Sequence, residues 1–196
     1  MAEPLKVARS ELILGGQRSG KSRRAELLAR HWLAQSPVHG AVLIATAQPG
    51  DDEMRKRIAR HQQDRAQRVP GLRTVEEPHA LAQALTRHSQ PQTLVVVDCL
   101  TLWLTNLLMP APDFEANRPL AQDSQAQIAM FLIAIEKNAG PVVLVGNEIG
   151  LGVIPLGRET RDFVDALGRL NQAVAQACER VTFMAAGLPL SLKGLS

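Results

Sequence analysis

The sequence predicts an α/β fold, a mostly parallel β-sheet with helices on both faces. Three observations carry that prediction. Short, continuous apolar runs rich in Val, Ile and Leu alternate with segments of helical period, the pattern of parallel strands joined by right-handed crossovers. The pattern G-x-x-x-x-G-K-S occupies Gly15 to Ser22, between the first apolar run and the first helical segment. With 196 residues, the chain is long enough for one sizeable core and too short for two, so residues 1–196 are expected to form one domain.

Each element follows from local pattern. Glu11–Leu14 is the first buried strand, and Lys21 to Gln35 is a helix with Ala25, Leu28, Ala29 and Trp32 on one face. Pro37–Gly40 turns into a second strand, Ala41–Thr46. Asp51 to Arg65 is a helix whose opening acids, Asp51, Asp52 and Glu53, complement its positive end. Leu72–Glu76 is a short strand, Pro78 to His88 a helix, and Thr93–Asp98 the clearest central strand. Pro110 to Ser124 is Pro-rich and polar and is expected as a surface loop. Helix Gln125 to Asn138, strand Pro141–Val145, helix Arg158 to Glu179 and strand Val181–Ala186 follow, with no internal repeat or linker.

Composition excludes several classes. The 22 Lys and Arg against 19 Asp and Glu leave a net charge of +3, which suits polyphosphates and is small for a nucleic-acid surface. There is no Tyr, and the 4 Phe and 2 Trp offer few rings for stacking bases. No nucleic-acid partner is therefore expected. Cys99 and Cys178 lie far apart in apolar segments, as buried thiols of a reducing compartment would. Met1 to Ser10 has no apolar core of a secretory signal. The most apolar run, Leu94 to Met109, is interrupted by Asp98, Thr101, Thr105 and Asn106 and falls short of a bilayer span. A soluble, cytoplasmic protein without membrane insertion is expected.

The loop Gly15, Gly16, Gln17, Arg18, Ser19, Gly20, Lys21, Ser22 is the candidate phosphate cradle. Glycines let successive N–H groups turn toward one anion, and the new helix adds its positive end. Lys21 supplies a charge for the β- and γ-phosphates, Arg18 adds another, and Ser22 offers a hydroxyl to Mg²⁺. Asp98, at the carboxyl end of the central strand, is the candidate acid for Mg²⁺ or its water shell, against the plainer possibility of a turn-capping Asp. Thr46 and Ala47 close the second strand at the same edge.

His61 falls at helical spacing from Met54 and Ile58, on an inward stripe where most histidines are core residues. Its neighbours Arg57, Arg60 and Arg65 shift the balance. Guanidinium groups favour the neutral imidazole, a good nucleophile toward phosphorus, and would neutralise the polyphosphate it attacks. Asn147 to Pro155, with Gly150 and Gly152, suggests a mobile flap, a docking surface for something large and apolar, a subunit contact or a plain loop. Arg158, Arg161 and Arg169, with Asp162 and Asp165 between them, are expected as exposed ion pairs.

Together these residues resemble the bifunctional adenosylcobinamide kinase/adenosylcobinamide-phosphate guanylyltransferases of cobalamin biosynthesis. The matching stretches are G-G-Q-R-S-G-K-S (15–22), A-T-A-Q-P-G-D-D-E-M-R-K-R-I-A-R-H (45–61), V-V-D-C-L-T-L-W-L-T-N-L-L (96–108), N-E-I-G-L-G-V-I-P (147–155) and G-R-L-N-Q (168–172). The loop alone does not identify the family; its combination with A-T-x-x-x-x-D-D-E-M, His61 and N-E-x-G-x-G does. The resemblance implies a RecA-like parallel sheet with one antiparallel strand, in a homotrimer. It implies that ATP or GTP phosphorylates adenosylcobinamide, and that GMP passes from GTP through His61 to adenosylcobinamide-phosphate. It implies nucleotide contacts at Gly15 to Ser22, at Ala45, Thr46 and Ala47, at Gln62, Gln63, Asp64 and Arg65, and at Glu76 and Asp98. Leu72 stands where many members carry Trp before R-T-x-E, which keeps apolar packing but offers no stacking face. Two other possibilities stand beside it: a kinase of single activity with a structural His61, and a nucleotide-dependent switch. The chain lacks the N-K-x-D guanine motif of switch GTPases.

Overall fold

The computed structural model describes residues 5–48, 63–109, 124–152 and 156–194. The expected helix Asp51 to Arg65, apart from its last residues, and nearly all of the expected loop Pro110 to Ser124 lie outside the described residues.

A seven-stranded sheet forms the centre, in the order β3-β2-β4-β5-β1-β6-β7. Its strands are β1 (Ser10–Gly15), β2 (Gly40–Ala45), β3 (Leu72–Glu76), β4 (Thr93–Asp98), β5 (Val142–Val145), β6 (Arg180–Ala185) and β7 (Leu188–Lys193). The helices are α1 (Lys21–Gln35), α2 (Leu81–His88), α3 (Leu100–Leu108), α4 (Ser124–Lys137) and α5 (Arg158–Ala177). Residues 63–68 form a further helical stretch. Every pairing from β3 through β6 is parallel, and among the described residues only β6 with β7 is antiparallel.

The order explains the layers. From β1 the chain travels toward β2 and β3 at one edge, then returns through β4 and β5 to β6. Crossovers are right-handed, so reversing the direction of travel moves the connecting helices to the opposite face. Accordingly α1 packs Ala25, Leu28 and Ala29 against Ile13, Leu43, Val96 and Val143 on one face. On the other face, α2 to α5 pack Leu85, Trp103, Phe131 and Leu170 against Leu12, Ile44, Val95 and Leu144. Successive strand residues thus serve opposite cores, which is why the strands read as continuous apolar runs.

The structure departs from the expected elements in particular places. α3 sits inside the apolar run Leu94 to Met109, whose pattern predicts only the strand Thr93–Asp98. Strand and helix there join across the single residue Cys99, with no Gly or Pro to mark the boundary. β7 was not read from its residues, since Pro189 argues against an interior strand; as an outermost strand it tolerates proline. Ala186 (φ 51°) and Gly187 (φ 80°) make its tight turn with β6, the positive-φ pair of a two-residue hairpin. α2 begins at Leu81 rather than Pro78, because the Glu77 carboxylate accepts the N–H groups of His79 (3.1 Å) and Ala80 (2.9 Å) ahead of it.

Candidate functional site

β1 delivers Gly15 into a tight loop, and α1 begins at Lys21. Gly15 has φ 150°, and a Cβ there would stand 2.4 Å from the Met184 carbonyl oxygen; Gly20 has φ 102°. These two positions require glycine, and the loop's closeness to β6 is the reason. Two distant segments hold the loop. The Glu148 N–H donates to the Gly15 carbonyl (3.1 Å), and the Gly187 N–H of the β6–β7 turn donates to the Ser19 carbonyl (3.0 Å). Ser19 is buried, while Gln17, Arg18 and Ser22 are exposed. The buried Lys21 ammonium donates to the Gly16 carbonyl (2.5 Å) and reaches Ser19 Oγ (3.5 Å).

The carboxyl ends of β2 and β4 lie side by side, with Ala45 opposite Asp98. Thr46 is fully buried and joins them. Its hydroxyl donates to the Cys99 carbonyl (2.7 Å) and accepts the Cys99 N–H (2.9 Å). Its N–H donates to the Asp98 carbonyl (3.2 Å), and its own carbonyl accepts from Asn106 Nδ2 (2.9 Å), which also reaches the Pro78 carbonyl (3.0 Å). Every polar group of Thr46 is thereby committed to protein, so it holds the Asp98–Cys99 turn in place. Ala47 is partly buried just beyond. Glu76 ends the edge strand β3 beside Ala45 and is exposed.

Charge converges on Asp98. Burial pulls the Lys21 ammonium below its ordinary pKa, and the negative charge of Asp98 opposes that shift. Burial and the Asp98 charge push the Cys99 thiol up to about 11, so it is an inert neutral group. Arg65, on the helical stretch, places Nη2 3.8 Å from Asp98 Oδ2 and Nε 3.7 Å from Glu26 Oε1 of α1. Asp64 is partly buried and Gln63 exposed. His61 and Gln62 lie outside the described residues.

The structure therefore brings Lys21, Asp98, Thr46 and Arg65 to one edge of the sheet. This edge is where ligands bind in open α/β folds. Sequence reasoning missed Glu26, Asn106 and Thr101, whose Oγ1 accepts the Asn147 N–H (2.9 Å). The interrupting polar residues of the Leu94–Met109 run were the one available signal for Thr101 and Asn106. Among the described residues no group of three or more His, Cys, Asp or Glu gathers to hold a metal ion. A hydroxyl such as Ser22 and one carboxylate such as Asp98 are a donor set that suits Mg²⁺, which takes few protein ligands and completes its shell with phosphates and water.

Residues 11–192 match the family described as cobinamide kinase / cobinamide phosphate guanyltransferase. The chain is 49% identical over 184 residues to the bifunctional adenosylcobalamin biosynthesis protein CobP of Pseudomonas aeruginosa, covering 94% of this chain and 97% of that one. It is 35% identical over 187 residues to the bifunctional adenosylcobalamin biosynthesis protein CobU of Escherichia coli, covering 93% and 98%. Among solved structures, the flagellar accessory protein FlaH from Methanocaldococcus jannaschii has a TM-score of 0.52 over 95% of this chain and 78% of that one. At 10% identity that likeness concerns the fold alone, and it agrees with the P-loop, RecA-like α/β class expected from the sequence.

Proposed function

The chain belongs to the cobinamide kinase / cobinamide phosphate guanyltransferase family, and on that premise we propose that one cleft, at the carboxyl ends of β1, β2 and β4, serves two successive transfers to adenosylcobinamide. In the first, the aminopropanol hydroxyl of adenosylcobinamide attacks the γ-phosphorus of ATP or GTP. The bond to the β-phosphate oxygen breaks, the nucleoside diphosphate leaves, and the hydroxyl proton is released. Lys21 and the amides of Gly15 to Ser22 grip the triphosphate and offset charge that grows on its oxygens. Ser22 and Asp98 would hold Mg²⁺, which when bound neutralises the β- and γ-oxygens.

In the second transfer, the neutral His61 imidazole attacks the α-phosphorus of GTP and pyrophosphate leaves. A phosphate oxygen of adenosylcobinamide-phosphate then attacks the same phosphorus, the N–P bond breaks, and adenosylcobinamide-GDP forms. Splitting one difficult displacement into two in-line steps is the benefit of the covalent intermediate. Ala45, Ala47, Gln62, Gln63, Asp64, Arg65 and Glu76 complete the nucleotide site in this proposal, and the assembly is a homotrimer. In the described residues no helix is long and apolar enough to cross a membrane.

The observation that supports this proposal most is the placement of Lys21: its ammonium lies folded over its own loop, within the field of Asp98. The test uses GTP labelled at the α-phosphate, followed by denaturation. The protein is expected to carry label that is acid-labile and alkali-stable, as phosphorus on an imidazole nitrogen is. His61→Ala is expected to abolish the label while kinase activity stays measurable. A wild-type protein that phosphorylates adenosylcobinamide yet never becomes labelled would overturn the histidine route.

A further inference from the structure

Arg65 is an unusual guanidinium. Only 8% exposed, it stands between carboxylates from different elements, and among the described residues its Nε has no hydrogen-bond partner. Its approaches to Glu26 (3.7 Å) and to Asp98 (3.8 Å) are both longer than hydrogen bonds. A buried donor left without a partner is costly, and native proteins rarely keep one without a use.

Glu26 explains why Arg65 does not simply close onto Asp98. The Glu26 carboxylate is nearly buried and grips Arg68 in a two-point fork, Nε to Oε2 at 2.9 Å and Nη2 to Oε1 at 3.1 Å. Its Oε1 also faces Arg65. Arg65 thus lies within 4 Å of two carboxylates and makes a hydrogen bond to neither. Arg68 is half exposed, so the fork is anchored at the surface while Glu26 projects its remaining charge inward.

We infer that Glu26 is a positioning residue for the nucleotide cleft: its charge holds the Arg65 guanidinium off Asp98, leaving the carboxylate free for Mg²⁺ and the guanidinium free for phosphate. Neutralising Glu26 removes one side of the balance. Arg65 then falls onto Asp98 and forms the close charge-assisted pair that is absent here. That pair competes with Mg²⁺ for the same carboxylate. The inference rests on the proposed role of Asp98 and the Gly15 to Ser22 loop.

The test measures equilibrium binding of a fluorescent GTP analogue as Mg²⁺ is titrated, with no turnover required. Glu26→Gln keeps the shape of the side chain and is expected to raise the Mg²⁺ concentration at half-saturation by about fivefold or more. Arg68→Met breaks the same fork from the exposed side but leaves the Glu26 charge to draw Arg65. It is expected to leave the Mg²⁺ requirement unchanged or lower it. Adding Glu26→Gln to Asp98→Asn is expected to raise the requirement no further than Asp98→Asn alone, because the carboxylate that Arg65 and Mg²⁺ contest is then gone. Equal rises in Glu26→Gln and Arg68→Met, or a lower melting temperature in Glu26→Gln with an unaltered Mg²⁺ requirement, would show a purely structural fork and overturn the inference. Failure of the wild type itself to bind the analogue in a Mg²⁺-dependent way would instead defeat the proposed role of the cleft.

Discussion

The hydroxyl of Thr46 gives the sharpest stability test. Thr46→Val conserves volume and β-branching at a fully buried position and removes only the group that bonds the Cys99 backbone. The Cys99 carbonyl keeps a second donor, the Trp103 N–H at 3.2 Å in the first turn of α3. The Cys99 N–H loses its Thr46 acceptor and must be desolvated without it, which costs about 1–3 kcal/mol; losing the bond to the carbonyl adds about 1 kcal/mol. The sum is about 2–4 kcal/mol, or a fall in melting temperature of about 4–16 °C for a chain of this size. Thr46→Ser keeps both bonds and sheds a methyl group, at about 1 kcal/mol. Equilibrium urea unfolding of the two variants, followed by circular dichroism, separates these terms, because the midpoint reports stability and an unchanged slope reports an unchanged transition. Thr46→Val as stable as Thr46→Ser, within about 0.5 kcal/mol, would refute the clamp as an energetic link between β2 and β4.

Lys21→Met is expected to lower the phosphorylation rate by about 10²–10³-fold, the usual loss when one preorganised charge or donor is removed. Because burial lowers the Lys21 pKa, wild-type triphosphate affinity should decline as pH rises toward 10.5, and the methionine variant should lack that decline; titration of a nucleotide analogue across pH checks both. The Cys99 and Cys178 thiols, pushed by burial to about 11 and about 12, should resist a disulfide reagent at pH 8 in the folded protein and react in urea. Their sign for stability follows from linkage. The unfolded thiols ionise near 9.0 while the native ones keep their protons, so stability is fully present below that value and is lost as pH climbs toward 11–12. Urea midpoints against pH, compared with a Cys178→Ala variant, should show a smaller alkaline loss in the variant.

The features legible in the sequence were those encoded over short spans. Lys21 to Gln35 as a helix and Thr93–Asp98 as a strand emerge with the expected bounds, because Gly20 and the polar Asp98 are local stops. The loop Gly15 to Ser22 announced itself because its spacing is fixed by geometry within a few residues. α3 stayed hidden because Leu100, Trp103 and Leu104 are apolar continuations of an apolar strand, and the exposed Leu102 and Leu108 make its outer side apolar too, which erases the periodic contrast that marks a helix. Glu26 stayed hidden for the opposite reason. In a helix otherwise marked by its apolar face it looked like an ordinary solvated acid, and only the return of Arg65 and Arg68 from a later segment shows its burial. The fully buried Glu11 is similar: Arg24 (2.9 Å) and Thr182 Oγ1 (2.8 Å) reach it from elements that only the strand order makes neighbours.

That order also bears on the N-E-x-G stretch, which the sequence left open between a mobile flap, an apolar docking surface, a subunit contact and a plain loop. β5 is inserted between β1 and β4, so the residues leaving it must pass between the phosphate loop and the Asp98–Cys99 turn. They do so as a strut. The Glu148 N–H binds the Gly15 carbonyl, the Asn147 N–H binds Thr101 Oγ1, and the Asn147 carbonyl accepts from Asn171 Nδ2 at 3.0 Å. Backbone held at successive residues by separate elements resists opening as a hinge. Any movement in this loop therefore has to begin beyond Glu148, where Ile149 and Leu151 are exposed, the latter at 77%. Exposed aliphatic groups on a rigid base are suited to meeting an apolar surface, whereas the base serves to keep the phosphate loop and Asp98 at a fixed separation.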